Sequence, residues 1–179
     1  THYTKTNKGN FTTHILQMLN IKLSIKIIIF GFIFTFFSSF GQSFFIGLFN
    51  SNIRVDLNIS HGQFGSIYAL ATLASSFSLI WIGKKIDDFK LLHFSIFVIL
   101  LLSISSIFFA FINTIYLLFI GIYLLRLSGQ GLMSHTASTS ISRFFNLNRG
   151  KALSATWLGL SAAEFIMPIT IVFLLTIYS

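Results

Sequence analysis

Ile82-Gly83-Lys84-Lys85-Ile86-Asp87-Asp88-Phe89-Lys90 packs five of the chain's 16 charged side chains (12 basic, 4 acidic) into nine residues. Phe64 to Trp81 before it and Leu91 to Ile112 after it carry no charge. A charged elbow between two apolar stretches, each near the roughly 20 residues needed to cross a bilayer, is where a chain leaves hydrocarbon and turns back. The composition agrees. The chain is 54% hydrophobic and 9% charged, with 23 phenylalanines in 179 residues, against about 25% charged residues in soluble domains. No water-soluble domain of this length could hide so much apolar surface.

Working outward from the elbow gives an all-α, multi-pass transmembrane bundle. Ile27 to Phe49 is one charge-free span, whose Thr35, Ser38, Ser39 and Gln42 recur at helical spacing and form one polar face. Asn50 to Gly62 is a polar loop, and its Asn58-Ile59-Ser60 fits a glycosylation acceptor. The next span ends at Gly83 and is rich in small residues (Gly65, Ala69, Ala71, Ala74, Ser75, Ser76) that let helix backbones approach closely. Leu91 to Leu125 is too long for one crossing at about 1.5 Å per residue, so Asn113-Thr114 is expected to break it into a hairpin. The spans are placed at 27–49, 63–83, 91–112, 115–137 and 152–177, after an arm over 1–26 whose Ile15 to Lys26 suits a short interfacial helix. The chain starts without methionine and stops near an apolar run, and is read as a piece of a longer protein.

The net charge of +8 does not imply nucleic acid, because the basic residues sit in short blocks between apolar spans rather than on one solvated face. Ten of the 12 lie in the arm, the elbow and the Ser138 to Lys151 loop, whereas Arg54 alone lies on the opposite side. That asymmetry places the arm and both basic loops in the cytoplasm of a plasma or inner membrane. With no cysteine, disulfides and thiolate metal sites are excluded. No metal and no cofactor is expected. A membrane-embedded enzyme would need a nucleophile with its base at one depth, which the sequence does not offer.

Two charges fall inside the spans. Arg126 is eleven residues from either end of span four and Glu164 twelve residues into span five. A midplane arginine costs at least about 2.5–3.5 kcal/mol on insertion scales, so it should face a partner or a watery cavity. The two are expected to pair across adjacent helices, with Glu164 titrating when substrate or proton displaces that partner, or to form a static pair that orders the bundle. Pro168 cannot donate to the carbonyl of Glu164 and is expected to kink the helix. Gln130 and Met133 follow Arg126 on its face. His135 is read as a histidine hydrogen-bonded between helices. Asp87 is either a solvated loop acid or a carboxylate capping the N-terminus of a neighbouring helix.

Three stretches together resemble the major facilitator superfamily of transporters. Gly83 and Asp87 match its loop between helices two and three, although Asp88 stands where a basic residue is usual and Lys90 where a second glycine is. Leu125-Arg126-Leu127-Ser128-Gly129-Gln130-Gly131 is similar to its fourth-helix pattern. Phe144-Phe145, Arg149-Gly150-Lys151-Ala152, Gly159 and Pro168 resemble the start of its fifth helix in branches that carry organic anions. The resemblance runs from Gly31 to the C-terminus and implies a partial major-facilitator-type fold, the first five of twelve helices. It further implies a secondary carrier of a small-molecule substrate, with protons as candidate coupling ion, completed by missing C-terminal helices of the same protein. On that footing Gln42, Arg126 and Gln130 are the cavity candidates, Glu164 the coupling candidate, and Gly83 and Asp87 the conformational latch. The alternative is a complete five-span scaffold or accessory subunit.

Overall fold

The structure, a computed structural model, describes residues 23–178. The expected interfacial helix of the arm lies almost wholly outside that range. Among the described residues five helices are long and apolar enough to cross a membrane: Leu23–Leu48, His61–Asp87, Leu91–Ala110, Ile115–Phe144 and Arg149–Ile177. They are spans one to five below. Their lipid-facing sides carry large exposed residues such as Phe77, Trp81, Leu100, Ile107, Phe165 and Phe173, as expected where the solvent is acyl chain.

Span one is broken. Helix α1 (23–37) tightens into a 3-10 turn at Ser38–Gly41, Gln42 is extended (φ −82°, ψ 156°), and a new helix α2 begins at Ser43 and runs to Leu48. A further short helix α3 (Asn50–Asp56) occupies much of the expected loop. Asn58 then takes a left-handed φ of 50°, and Ser60 caps α4 (His61–Lys84) in a reciprocal pair with Gln63, which satisfies two helix-end donors. The elbow is a 3-10 turn at Lys85–Asp87, followed by α5 (Leu91–Ala110). Phe111 to Thr114 break the long apolar run, and Thr114 caps α6 (Ile115–Leu125) by accepting from Leu117 N at 3.3 Å.

Span four continues from α6 through a wide π segment (Arg126–Met133) into α7 (Ser134–Phe144). The helix therefore outlasts its apolar stretch, because Thr136 and Ser140 donate to the carbonyls of Leu132 and Thr136 at 2.7 and 2.6 Å and so bury their hydroxyls already satisfied. Span five, α8 (Arg149–Tyr178), is helical throughout with Pro168 inside it.

Span four is the hub. Half of its most apolar window is buried against 6% for span five, and spans one, two, three and five all pack on it. Polar pairs cross the seams: Ser78 Oγ to Tyr123 OH at 2.8 Å between spans two and four, and Ser128 Oγ to Ser105 Oγ at 3.4 Å between four and three. Span five lies against span one through Thr156 and Gly159, part of a buried stripe that also includes Ala152 and Ala163. There Thr35 Oγ1 donates to Thr156 O at 2.6 Å, and a Cβ on Gly159 would sit 2.2 Å from Phe32 O. The polar face foreseen on span one is thus largely a packing seam, with Thr35, Ser38 and Ser39 fully buried.

Candidate functional site

The site is built where the irregular turns of spans one and four meet. A Cβ on Gly41 would lie 2.3 Å from Leu125 O and 2.5 Å from Gln130 N, and one on Gly129 would lie 2.6 Å from Gly41 N. Leu125 O and Gln130 N are five residues apart, the spacing a π turn pairs, so Gly41 rests directly on the first π turn. Widened turns of this kind are frequent at functional sites. Two backbones this close leave room only for hydrogen at both glycines.

That contact delivers Arg126. The side chain is 8% exposed and its Nη1 donates to Gly41 O at 3.3 Å and to Ser43 Oγ at 3.2 Å. The extended Gln42 frees the Gly41 carbonyl from helical pairing, and the guanidinium takes that oxygen up in a medium with no water to do so. Its carbon stands 5.2 Å over the Tyr68 ring, a cation–π distance, while Nε is buried without a hydrogen-bond partner. Arg126 and Gln130 line a cavity of about 160 Å³ with Ser75, Ser76, Leu79 and Gly131. A larger space of about 370 Å³ beside α2 and α3 is walled by phenylalanines and holds Asp56 but no cation; the smaller one is the chemically equipped site. Gln42 is half-buried at the break and does not line the cavity.

The expected pairing of Arg126 with Glu164 is not formed. The ion pairs among the described residues are Lys85–Asp88 at 3.3 Å and Arg143–Asp87. Equal depth in two helices does not give equal bearing. Arg126 turns toward α2 and span two, whereas Glu164 is exposed beside the buried stripe of α8. Ser43 and Tyr68 were not singled out from the sequence, although each lies one helical turn or less from a residue that was.

At the charged end, Asp87 does not cap a helix N-terminus here. It pairs with Arg143 in the last turn of α7, and Arg143 Nη2 also donates to Ile86 O at 3.2 Å. His135 Nε2 donates to Gly83 O at 3.1 Å, the interhelical bond expected of it. The elbow is therefore tied to span four twice. Asp87→Asn should lower stability by only about 1 kcal/mol or less because both partners are solvated, a melting shift below about 4 °C. A larger drop in a thermal melt of the purified protein would mean that the pair braces the fold.

Comparison with known families decides what this arrangement belongs to. A family model described as Major Facilitator Superfamily matches residues 31–179. The chain belongs to the major facilitator superfamily. Searches of curated proteins and of solved structures return no match. As a major facilitator the chain is a multi-pass membrane protein of transporter type.

Proposed function

We propose that this chain supplies five helices of a secondary active carrier that moves a small organic anion by alternating access, with Arg126 as the group that meets the anion. One observation carries the reading: a buried guanidinium with an unpartnered Nε, lining a cavity whose other polar walls are two serines and a glutamine. Its hydrogen-bond acceptors among the described residues are a carbonyl and a hydroxyl oxygen, both uncharged, so its positive charge is left for a ligand. Gln130, Ser75 and Ser76 would hydrogen-bond the rest of a small hydroxylated or carboxylated solute, and Gln42 would join them if α2 moves about the break. Asp87 and Gly83 would hold the elbow to span four in one state and release it in the other. The remaining helices of the superfamily fold would supply the opposite wall.

The arm and basic loops are placed in the cytoplasm. In support, the elbow and the end of α7 meet at one end of the bundle, so Lys84, Lys85, Lys90 and Arg143 share a side. Uptake into proteoliposomes of the intact protein tests the reading directly. Small carboxylates should be taken up in preference to neutral or cationic solutes of the same size, and preference for a cation would overturn it.

Glu164 is proposed as the proton-coupling group, since it is the one acidic side chain among the described residues that lies in the interior of a span. Glu164→Gln should abolish the response of uptake to an imposed proton gradient while leaving counterflow exchange within about 2- to 3-fold, as a charge needed only for coupling predicts. Gradient-driven uptake that survives the substitution would remove Glu164 from the coupling step.

A further inference from the structure

A groove of about 340 Å³ lies where spans two and three meet at the elbow. Its walls are Ile82, Lys85, Phe89, His93, Phe94 and Phe97, none of them from span four. Both helices change character with depth here. Lys85 and His93 stand at or beside the helix ends, while Ile82 and Phe97 lie about one turn, roughly 5 Å, further in. Phe94 is buried and makes the floor, whereas Phe89 and Phe97 are themselves exposed, so the groove opens to whatever surrounds the bundle. No acidic side chain lines it. Asp88 stands 3.3 Å from Lys85 Nζ, with both side chains 62% exposed; a solvated pair of this kind is weak and uses one of the three ammonium hydrogens.

We infer that this groove seats one anionic phospholipid, its phosphate between Lys85 and His93 and an acyl chain along Phe94 and Phe97. The ammonium and the imidazole both offer N–H donors to phosphate oxygens, and below them every wall is apolar. A helix of another protein is a poorer occupant. With its side chains it is about 10 Å across, and it would bury Lys85 without a counter-charge; a phospholipid brings the charge and the chain in one molecule. Lys84 and Lys90, both exposed, add to the attraction, while Asp87 is taken up by Arg143. Basic pockets between membrane helices at headgroup level hold anionic lipids on these terms. The inference needs only that the helices cross a bilayer and does not rest on the anion reading of Arg126.

Trp81 supplies the test. It is 65% exposed and lies four residues before Lys85, on the same side of span two, and bromine on an acyl chain quenches indole fluorescence on contact. In the intact polypeptide every other tryptophan, Trp157 among them, is replaced by phenylalanine, and the protein is reconstituted in phosphatidylcholine vesicles. A small fraction of the lipid is then exchanged for brominated phosphatidylglycerol or brominated phosphatidylcholine. Phosphatidylglycerol should reach half-maximal quenching at about a 10-fold lower fraction, as one basic side chain at an anionic headgroup and one further hydrogen bond predict. Lys85→Gln combined with His93→Gln should abolish that preference. Lys84→Gln combined with Lys90→Gln removes two lysine charges against one, but Lys84 lines a separate space beside span four, so the preference should stay within about 3-fold of the original. Equal losses in the two double variants would overturn the site, because the elbow's charge as a whole would then gather the lipid. Equal quenching by the two lipids would overturn it too, as would quenching by neither, the result of a second copy seated in the groove. Should tryptophan replacement unfold the chain, melts of the original sequence in detergent make the same comparison. A rise with added phosphatidylglycerol but not phosphatidylcholine, lost in Lys85→Gln with His93→Gln, supports the site; no difference between the lipids, or a rise that the double variant keeps, overturns it.

Discussion

Arg126→Gln should cut carboxylate uptake by about 10- to 100-fold while the protein still folds. Removing one charge-assisted contact to an anion forfeits about 1.5–3 kcal/mol, which sets the size of the loss. Folding should survive because the glutamine amide remains a donor within the same pocket and can bond the Gly41 carbonyl that Arg126 now holds. Arg126→Lys keeps the charge but loses the planar fork and the reach of Nη1 to two oxygens, so an intermediate rate is expected. Arg126→Leu is the informative contrast. It leaves the freed carbonyl at the break of span one without a donor in a water-poor interior, a further cost of about 1–3 kcal/mol, and should lower the melting temperature as well as uptake. Initial rates in proteoliposomes and thermal melts on the same preparations measure both quantities. If Arg126→Gln folds and transports at the original rate, the arginine is a backbone staple and the anion site lies elsewhere.

Much of the architecture was readable because its signals are local. The elbow announces itself by charge density, and the hairpin between spans three and four by Asn113-Thr114, where a threonine side chain finds the amide of Leu117. Depth from one end is also a local quantity: Arg126 lies eleven residues from Ile115, although span four runs on to Phe144 and leaves eighteen residues beyond it. Bearing around the helix axis is not local, and there the sequence reading erred. Glu164 was assigned to Arg126 because both are charged and equally deep, yet the buried stripe of α8 is set by Ala152, Thr156, Gly159 and Ala163 and leaves Glu164 outside it. The partners Arg126 does have, Gly41, Ser43 and Tyr68, are 85, 83 and 58 residues away, and no periodicity links them. The break in span one was missed because its sequence, Ser38-Ser39-Phe40-Gly41-Gln42, contains one glycine and no proline; the close approach of Gly129 supplies the reason for it only once the fold is known.

The same approach makes Gly41→Ala a strongly damaging small substitution. An added Cβ would stand 2.3 Å from Leu125 O, 2.5 Å from Gln130 N and 2.9 Å from Gly129 Cα. All three are backbone atoms of span four, in the π segment or immediately before it, and cannot rotate away as a side-chain tip would. Either the two spans separate or the π turn gives up its register, and each outcome moves Arg126 off Gly41 and Ser43. Overpacking of this kind costs about 1–3 kcal/mol or more, and a melting temperature lower by several degrees is expected. Gly47→Ala and Gly65→Ala are the controls. Both glycines are exposed, with nothing within 4 Å of a new Cβ, so replacing the strongest helix breaker after proline by alanine should leave stability unchanged or raise it by up to about 1 kcal/mol. Gly129→Ala should behave like Gly41→Ala, since it meets Gly41 N at 2.6 Å from the other side. If the two substitutions are combined, the second should cost little once the first has parted the helices, because a shared contact can be lost only once. Full additivity of the two in a melt would mean that each glycine is needed for its own turn, and that the backbone contact between spans one and four is not what sets Arg126 in place.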